Sequence, residues 1–129
     1  MLVVIHTPRL DVLLLERVGT GYWQSVTGSR EPDDADLAAT ARRELREETG
    51  LVAEVVELLL GDLQLSNSVS DEKAYLFVAR GLHQAEPEPE DTEAITVWRL
   101  PLADAVAMAT DGRIRDAMSV IGLLRLGAG

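Results

Sequence analysis

Short apolar runs separated by polar, proline or glycine breaks dominate the first part of the chain. Residues 2–6 and 12–15 are β-branched or leucine-rich, and the polar stretch around Pro8 between them predicts a hairpin-like connection. Residues 22–27 alternate and predict a third strand, ended by Gly28. From residue 36 to 49 the period changes, with Leu37, Ala38, Ala41 and Leu45 on one helical stripe. Gly50 stands where a helix C-terminal glycine belongs. Further strands are predicted at residues 52–65, broken near Gly61, and at residues 74–79. The latter is apolar at both parities, as a strand covered on both faces is. Residues 66–73 read as an exposed loop, and residues 85–91 as an acidic loop with polyproline character. Residues 95–100 form another strand, with Trp98 expected in the core. Helices follow at residues 102–109 and 114–126, separated at Asp111 and Gly112. No repeat or dividing linker interrupts the pattern, so the expectation is one α+β domain over residues 1–129, or an α/β/α sandwich with a mixed sheet.

The middle helix carries the chemistry. Arg43, Glu44, Leu45, Arg46, Glu47, Glu48, Thr49, Gly50 and Leu51 run in sequence. On a helix Glu44 lies three and four residues before Glu47 and Glu48, so the three carboxylates share one side. Arg43 is four residues before Glu47 and can hold it in place. Most charged helical stripes are solvated faces, but two effects oppose that reading. Glu47 and Glu48 occupy the last turn, where the helix dipole disfavours an anion by about 0.3–1 kcal/mol. Their mutual repulsion costs about 1 kcal/mol at 4 Å in water, and about 4 kcal/mol at an effective dielectric of 20. A hard divalent cation such as Mg²⁺ relieves both penalties, because it takes oxygen ligands and leaves positions for water and phosphate.

Composition narrows the partners. With 22 acidic against 12 basic residues, the 129-residue chain carries a net charge of −10, which argues against a nucleic-acid backbone binder. Without cysteine there are no disulfides, thiolate nucleophiles or cysteine-based metal sites. No apolar run approaches the roughly 18 residues of a membrane helix. The N-terminal segment shows no basic leader, so the expectation is a cytoplasmic protein without membrane attachment.

The block from Arg43 to Leu51 resembles the signature of the Nudix hydrolases, matching at every specified position. That resemblance implies an α/β/α Nudix fold over essentially the whole chain. It also implies hydrolysis of a diphosphate linked to another moiety, usually in a nucleotide, with Mg²⁺ as cofactor and Mn²⁺ as a substitute. Carried over residue by residue, Glu44, Glu47 and Glu48 become metal-binding carboxylates, and the Gly28 carbonyl a further metal contact. Arg43 becomes their orienting partner. One of the glutamates, or a loop acid, helps to deprotonate the attacking water. Upstream the pattern departs from the family, since Ser29 stands where a second glycine is usual. With one residue inserted in the turn of Glu31, Pro32, Asp33 and Asp34, the family's acidic place falls on Asp34; without the insertion it falls on Ala35.

Residues 22–29 resemble the corresponding strand of dihydroneopterin triphosphate and dATP pyrophosphohydrolases. Residues 74–82, 93–97, Pro101, Leu102 and 111–117 resemble ADP-ribose pyrophosphatases. The latter resemblance assigns catalytic assistance to Glu93, with Asp91 or Glu90 beside it. Trp23, Ser29 and Asp91 are the candidate substrate contacts, Trp23 by stacking on a base. Asp71 and Glu72 resemble a loop acid pair of the ADP-ribose group. His6 and His83 stand alone and read as structural, and Ser25 lacks the spaced partners of a serine nucleophile. Two functions remain in view: a Mg²⁺-dependent pyrophosphohydrolase of NTP-, dNTP- or ADP-ribose-type substrates, and a catalytically inactive nucleotide sensor suggested by the irregular turn. A homodimer is possible by analogy alone.

Overall fold

The computed structural model describes residues 2–6, 11–17, 22–66, 72–85 and 95–128. Among these, the order is β1 (Leu2–His6), β2 (Asp11–Arg17), β3 (Tyr22–Gln24), β4 (Val26–Thr27), α1 (Leu37–Thr49), β5 (Leu51–Gln64), β6 (Lys73–Gln84), β7 (Ile95–Pro101), α2 (Leu102–Thr110) and α3 (Ala117–Ala128). The strands form one sheet with the path β3-β2-β1-β6-β5, to which β4 adds on β1 and β7 on β2. The β1–β6 pair is parallel and the other pairs antiparallel, so the sheet is mixed, as the sequence pattern implies.

The sheet branches. β7 covers β2 along its length, from Asp11↔Pro101 to Arg17↔Ile95. The opposite edge of β2 is therefore shared, by β1 at Val12 and Leu13 and by β3 from Leu15 to Arg17. On β1, the edge away from β6 is shared in the same way by β2 and β4. Residues 22–27, which alternate like a single strand, are thus two strands split at Ser25, where the chain leaves β2 for β1. The Ser25 N–H has no place in either ladder there and donates to Ser119 Oγ of α3, 3.0 Å away. Ser119 Oγ in turn donates to Asp116 Oδ2 at 2.6 Å, and the Ser119 N–H donates to the same oxygen at 3.0 Å.

Two cores flank the sheet. Val12, Leu14, Ala74 and Leu76 meet Ala105, Met108 and Ala109 of α2, with Ile114 and Leu123. Leu13, Leu15, Phe77 and Ala79 meet Ala41 and Leu45 of α1 on the other face. This explains why β2 and residues 74–79 are apolar at both parities: helices cover both sides. Fully burying a leucine such as Leu45 stabilises the fold by about 1.5–3 kcal/mol.

Local chemistry sets the bounds of α1. The Asp36 carboxylate accepts from the Ala39 N–H at 2.8 Å and caps the N-terminus. Gly50, at φ 74°, adopts the left-handed conformation and its N–H closes on the Arg46 carbonyl at 2.9 Å. Arg42 Nη1 donates to the Ala53 carbonyl at 2.6 Å and ties the helix to β5.

Besides the split at Ser25, three expectations need correction. The chain does not break at Gly61: β5 runs on to Gln64, and the irregularity there is two register shifts, with Asp62 at φ 51°. The last helix begins at Ala117 rather than residue 114, because Asp116 caps it and buried Ile114 sits in the preceding turn. Trp98 is 44% exposed rather than core: it lies two residues before Leu100 on the same face of β7, and it is Leu100 that packs against the core formed with α2 and α3. Residues 67–71 and 86–94, which include Asp71 and the acidic loop, lie outside the described residues. Among the described residues no helix is long and apolar enough to cross a membrane.

Candidate active site

β4 delivers the chain to Gly28, and residues 29–36 lead from there into α1. Arg43, on the first half of α1, gathers this loop. Its Nε and Nη2 donate to the two carboxylate oxygens of Asp34, each at 3.1 Å, and Nη2 also donates to the Ser29 carbonyl at 3.0 Å. Nη1 reaches Glu44 Oε1 at 2.9 Å and Glu47 Oε2 at 3.2 Å, with Glu31 at 3.4 Å. These contacts are not of equal weight. Glu31 and Glu47 are largely exposed, and such pairs contribute about 0–1 kcal/mol. Asp34 is 8% exposed and bidentate, the geometry in which an arginine–carboxylate pair is strongest.

Asp34 is the keystone of the turn. It accepts from Arg43, from the Glu31 N–H at 2.9 Å and from Thr40 Oγ1 at 2.9 Å, while its own N–H donates to the Glu31 carbonyl. The Arg43 fork, and secondarily the Glu31 N–H, hold its carboxyl well below the usual range. Of the two positions left open for the acidic place, Asp34 therefore takes the contacts, and Ala35 offers its carbonyl to Arg30 Nη2 at 3.2 Å. Arg30 also donates to the Asp34 carbonyl. Its part in closing the turn was not read from the sequence, and an arginine before an acidic Pro-containing turn is the signal that would have pointed to it.

Glu44 lies against Gly28 so closely that a Cβ there would collide with its carboxyl group. Any side chain at position 28 would displace Glu44, which accounts for the glycine. Burial pushes the Glu44 carboxyl above its ordinary pKa; Arg43 opposes this, and Glu47 and Glu31 add to it. Glu47 is exposed, and Glu48 is half-buried with its Oε2 atom shielded from solvent. One guanidinium thus faces the carboxylates of Glu31, Asp34, Glu44 and Glu47.

The candidate donors are hard oxygens throughout: three glutamates on one helix side and the backbone of Gly28. That chemistry suits Mg²⁺ or Mn²⁺ and not a soft ion. Among the described residues no group of three or more carboxylate or imidazole side chains converges into a ready metal cluster. Mg²⁺ does not need one, because it binds through one or two carboxylates and keeps water and phosphate for its remaining positions.

The other candidates lie apart. Ser29 is exposed and joins the site through its carbonyl. Trp23 packs on the side of the sheet covered by α2 and α3, opposite α1. Glu93 and Asp91 lie outside the described residues, and Glu72 and His83 are exposed.

The NUDIX domain family profile matches residues 1–119. The chain belongs to the Nudix family. Its Nudix fold is similar to a solved ADP compounds hydrolase, with a TM-score of 0.79 and 24% identity over 98% of this chain and 70% of that one. The ADP-ribose pyrophosphatase of Mycobacterium tuberculosis (strain ATCC 25618 / H37Rv) is 32% identical over 112 residues, 85% of this chain and 54% of that protein. The GDP-mannose pyrophosphatase of Yersinia pestis (strain Pestoides F) is 34% identical over 92 residues, 69% of this chain and 46% of its own. This Nudix chain spans about half the length of these two relatives. The signature block from Arg43 to Leu51 lies within the matched region, and of Asp34 and Ala35, the two candidates for the family's acidic place, it is Asp34 whose side chain meets Arg43.

Proposed function

We propose that this chain is a divalent-metal-dependent hydrolase of nucleoside diphosphate derivatives, cleaving a phosphoric anhydride bond. The observation that carries the reading is the Arg43 fork, which holds Glu44 and Glu47 from one nitrogen beside Gly28. Relatives named for ADP-ribose and GDP-mannose support a substrate of that type.

Glu44, Glu47, Glu48 and the Gly28 carbonyl would hold Mg²⁺ or Mn²⁺. The bound ion supplies a water of lowered pKa and neutralises phosphate charge that a chain of net charge −10 would otherwise repel. Arg43 fixes the direction of Glu44 and Glu47. One of these carboxylates, or Glu93, accepts the proton of the water whose oxygen bonds to phosphorus as the bridging oxygen departs with the leaving group. The inactive-sensor reading rested on the irregular turn, and that turn closes through Asp34 onto Arg43.

The test is product release from ADP-ribose, GDP-mannose, NADH, nucleoside triphosphates, 8-oxo-dGTP and dinucleoside polyphosphates, with Mg²⁺, with Mn²⁺ and with EDTA. Metal-dependent release of nucleoside monophosphate or pyrophosphate is expected. Absence of turnover across the panel under every condition returns the sensor reading.

A further inference from the structure

β4 and β6 flank β1, so their register locates residues of β6 relative to Gly28. Thr27 pairs with Leu2 and Leu2 with Leu76, while Val26 pairs with Val3 and Val3 with Phe77. Gly28 and Tyr75 each stand one residue beyond Thr27 and Leu76, at the same end of the sheet and two strand spacings, or about 10 Å, apart. They also share a face. Tyr75 packs with Val26 and Phe77 against the core under α1, and the side of Gly28 that a Cβ would occupy is filled by Glu44 of α1. Lys73, the one lysine of the chain, follows two residues beyond Tyr75 on that face. Asp62 draws the two together. It adopts a left-handed conformation, φ 51°, at the register shift between Leu60 and Leu63 of β5. Tyr75 OH donates to its Oδ1 at 2.7 Å, and Lys73 Nζ lies 3.8 Å from the same oxygen.

We propose that Lys73 pairs with the second phosphate of the bound diphosphate, the one further from Gly28, and so selects diphosphates over monophosphates. The proposal rests on the hydrolase reading given above. By the same spacings the Lys73 backbone stands about 12 Å from that of Gly28, a gap that the diphosphate and a four-carbon lysine stem close between them. The ammonium is able to change partner. Its pair with Asp62 joins side chains that are 51% and 72% exposed, and such pairs hold weakly. Asp62 keeps the Tyr75 hydroxyl when the ammonium leaves, so the exchange strands no acceptor. A phosphate offers the ammonium a more highly charged partner than one carboxylate. Arg43, by contrast, is held by four carboxylates, Arg80 by Glu57 at 2.7 Å and Arg99 by Asp11 at 2.9 Å.

Because Lys73 is the one lysine, acetylation by an N-hydroxysuccinimide ester and peptide mass mapping follow it directly, with free Nα-acetyl-lysine as the reference for the reagent. The probes, with Mg²⁺, are α,β-methylene-ADP and α,β-methylene-GDP, whose carbon bridge is not an anhydride, against AMP and GMP. The two diphosphonates are expected to slow acetylation at least about fivefold, and the monophosphates less than about twofold. In steady-state kinetics Lys73→Ala raises KM by about tenfold or more with kcat within about threefold, since the contact is alike in ground and transition states. Lys73→Arg recovers most of that loss. Asp62→Asn breaks the surface pair and keeps the ammonium, so KM stays within about threefold. Undiminished acetylation under the diphosphonates, or equal KM rises in Lys73→Ala and Asp62→Asn, overturns the proposal. Acetylation needs no turnover. Undiminished labelling of a chain that hydrolyses the panel therefore removes the role of Lys73 alone, and slowed labelling without turnover removes the hydrolase reading alone.

Discussion

Arg43 grips Asp34 with both arms of its fork, Nε to Oδ1 and Nη2 to Oδ2, each at 3.1 Å. The remaining nitrogen of the same guanidinium faces Glu44 and Glu47. Asp34 therefore acts on the site through Arg43, as a positioning residue nine positions upstream.

Asp34→Asn is expected to lower kcat by about 10–100-fold with a smaller change in KM, because it loosens the direction of two carboxylates without touching substrate. Arg43→Lys keeps the charge and loses the fork, so it reproduces the kcat loss. Steady-state kinetics on the substrate found in the panel checks both. A pure KM effect in Asp34→Asn would remove the positioning role.

Acid stability follows from the same pair. The folded-state pKa of Asp34 is depressed below its ordinary value of 3.8. Its contribution is therefore fully present above that value and is lost as pH falls below it towards the folded-state value. Thermal melts from pH 6 to pH 3 should show the wild type exceeding Asp34→Asn by a constant margin down to about pH 5, and by a shrinking margin below pH 4. A margin that grows on acidification contradicts this sign.

Glu47→Gln is expected to remove about 3–5 kcal/mol of transition-state stabilisation, a loss of two to four orders of magnitude in kcat/KM. Gly28→Ala should match that loss while the protein stays folded, because the new methyl collides with the Glu44 carboxyl rather than with the core. Near-normal Mg²⁺-dependent turnover in either variant argues against the assigned site.

Millimolar Mg²⁺ is expected to raise the melting temperature more than NaCl of matched ionic strength. At one hundred times its dissociation constant a ligand specific to the folded state adds about 2.7 kcal/mol, whereas salt merely screens the acid excess. Differential scanning fluorimetry with both salts and with EDTA makes the comparison. Equal shifts would mean that the carboxylates form an ordinary solvated face.

What the sequence made legible is what neighbouring residues decide among themselves. Asp36 and Gly50 bound α1 because caps are local contacts, and the register of Glu44, Glu47 and Glu48 follows from helix geometry alone. Asp34 was legible as one of two choices, since an inserted residue in a turn can be absorbed on either side until the arginine it meets is in place. The split at Ser25 was hidden because its cause is a change of partner strand, and residues 22–27 alternate as well across two edges as along one. Trp98 misled for a related reason: burial of a strand residue depends on where the covering helices stop, and apolar character does not record that.

The Ser25–Ser119 contact joins residues 94 positions apart at the point where the chain crosses between the two edges. Gly28 hangs from that crossing by three residues. A nascent chain that has emerged as far as Leu51 already contains the whole signature block, yet the Ser119 hydroxyl that accepts from Ser25 belongs to a helix made much later. The strand that leads to Gly28 is thus anchored by a contact of long sequence separation, and non-local closure of this kind is generally the slow part of folding. Chains released short of residue 119 should carry every proposed metal ligand and still lack the site.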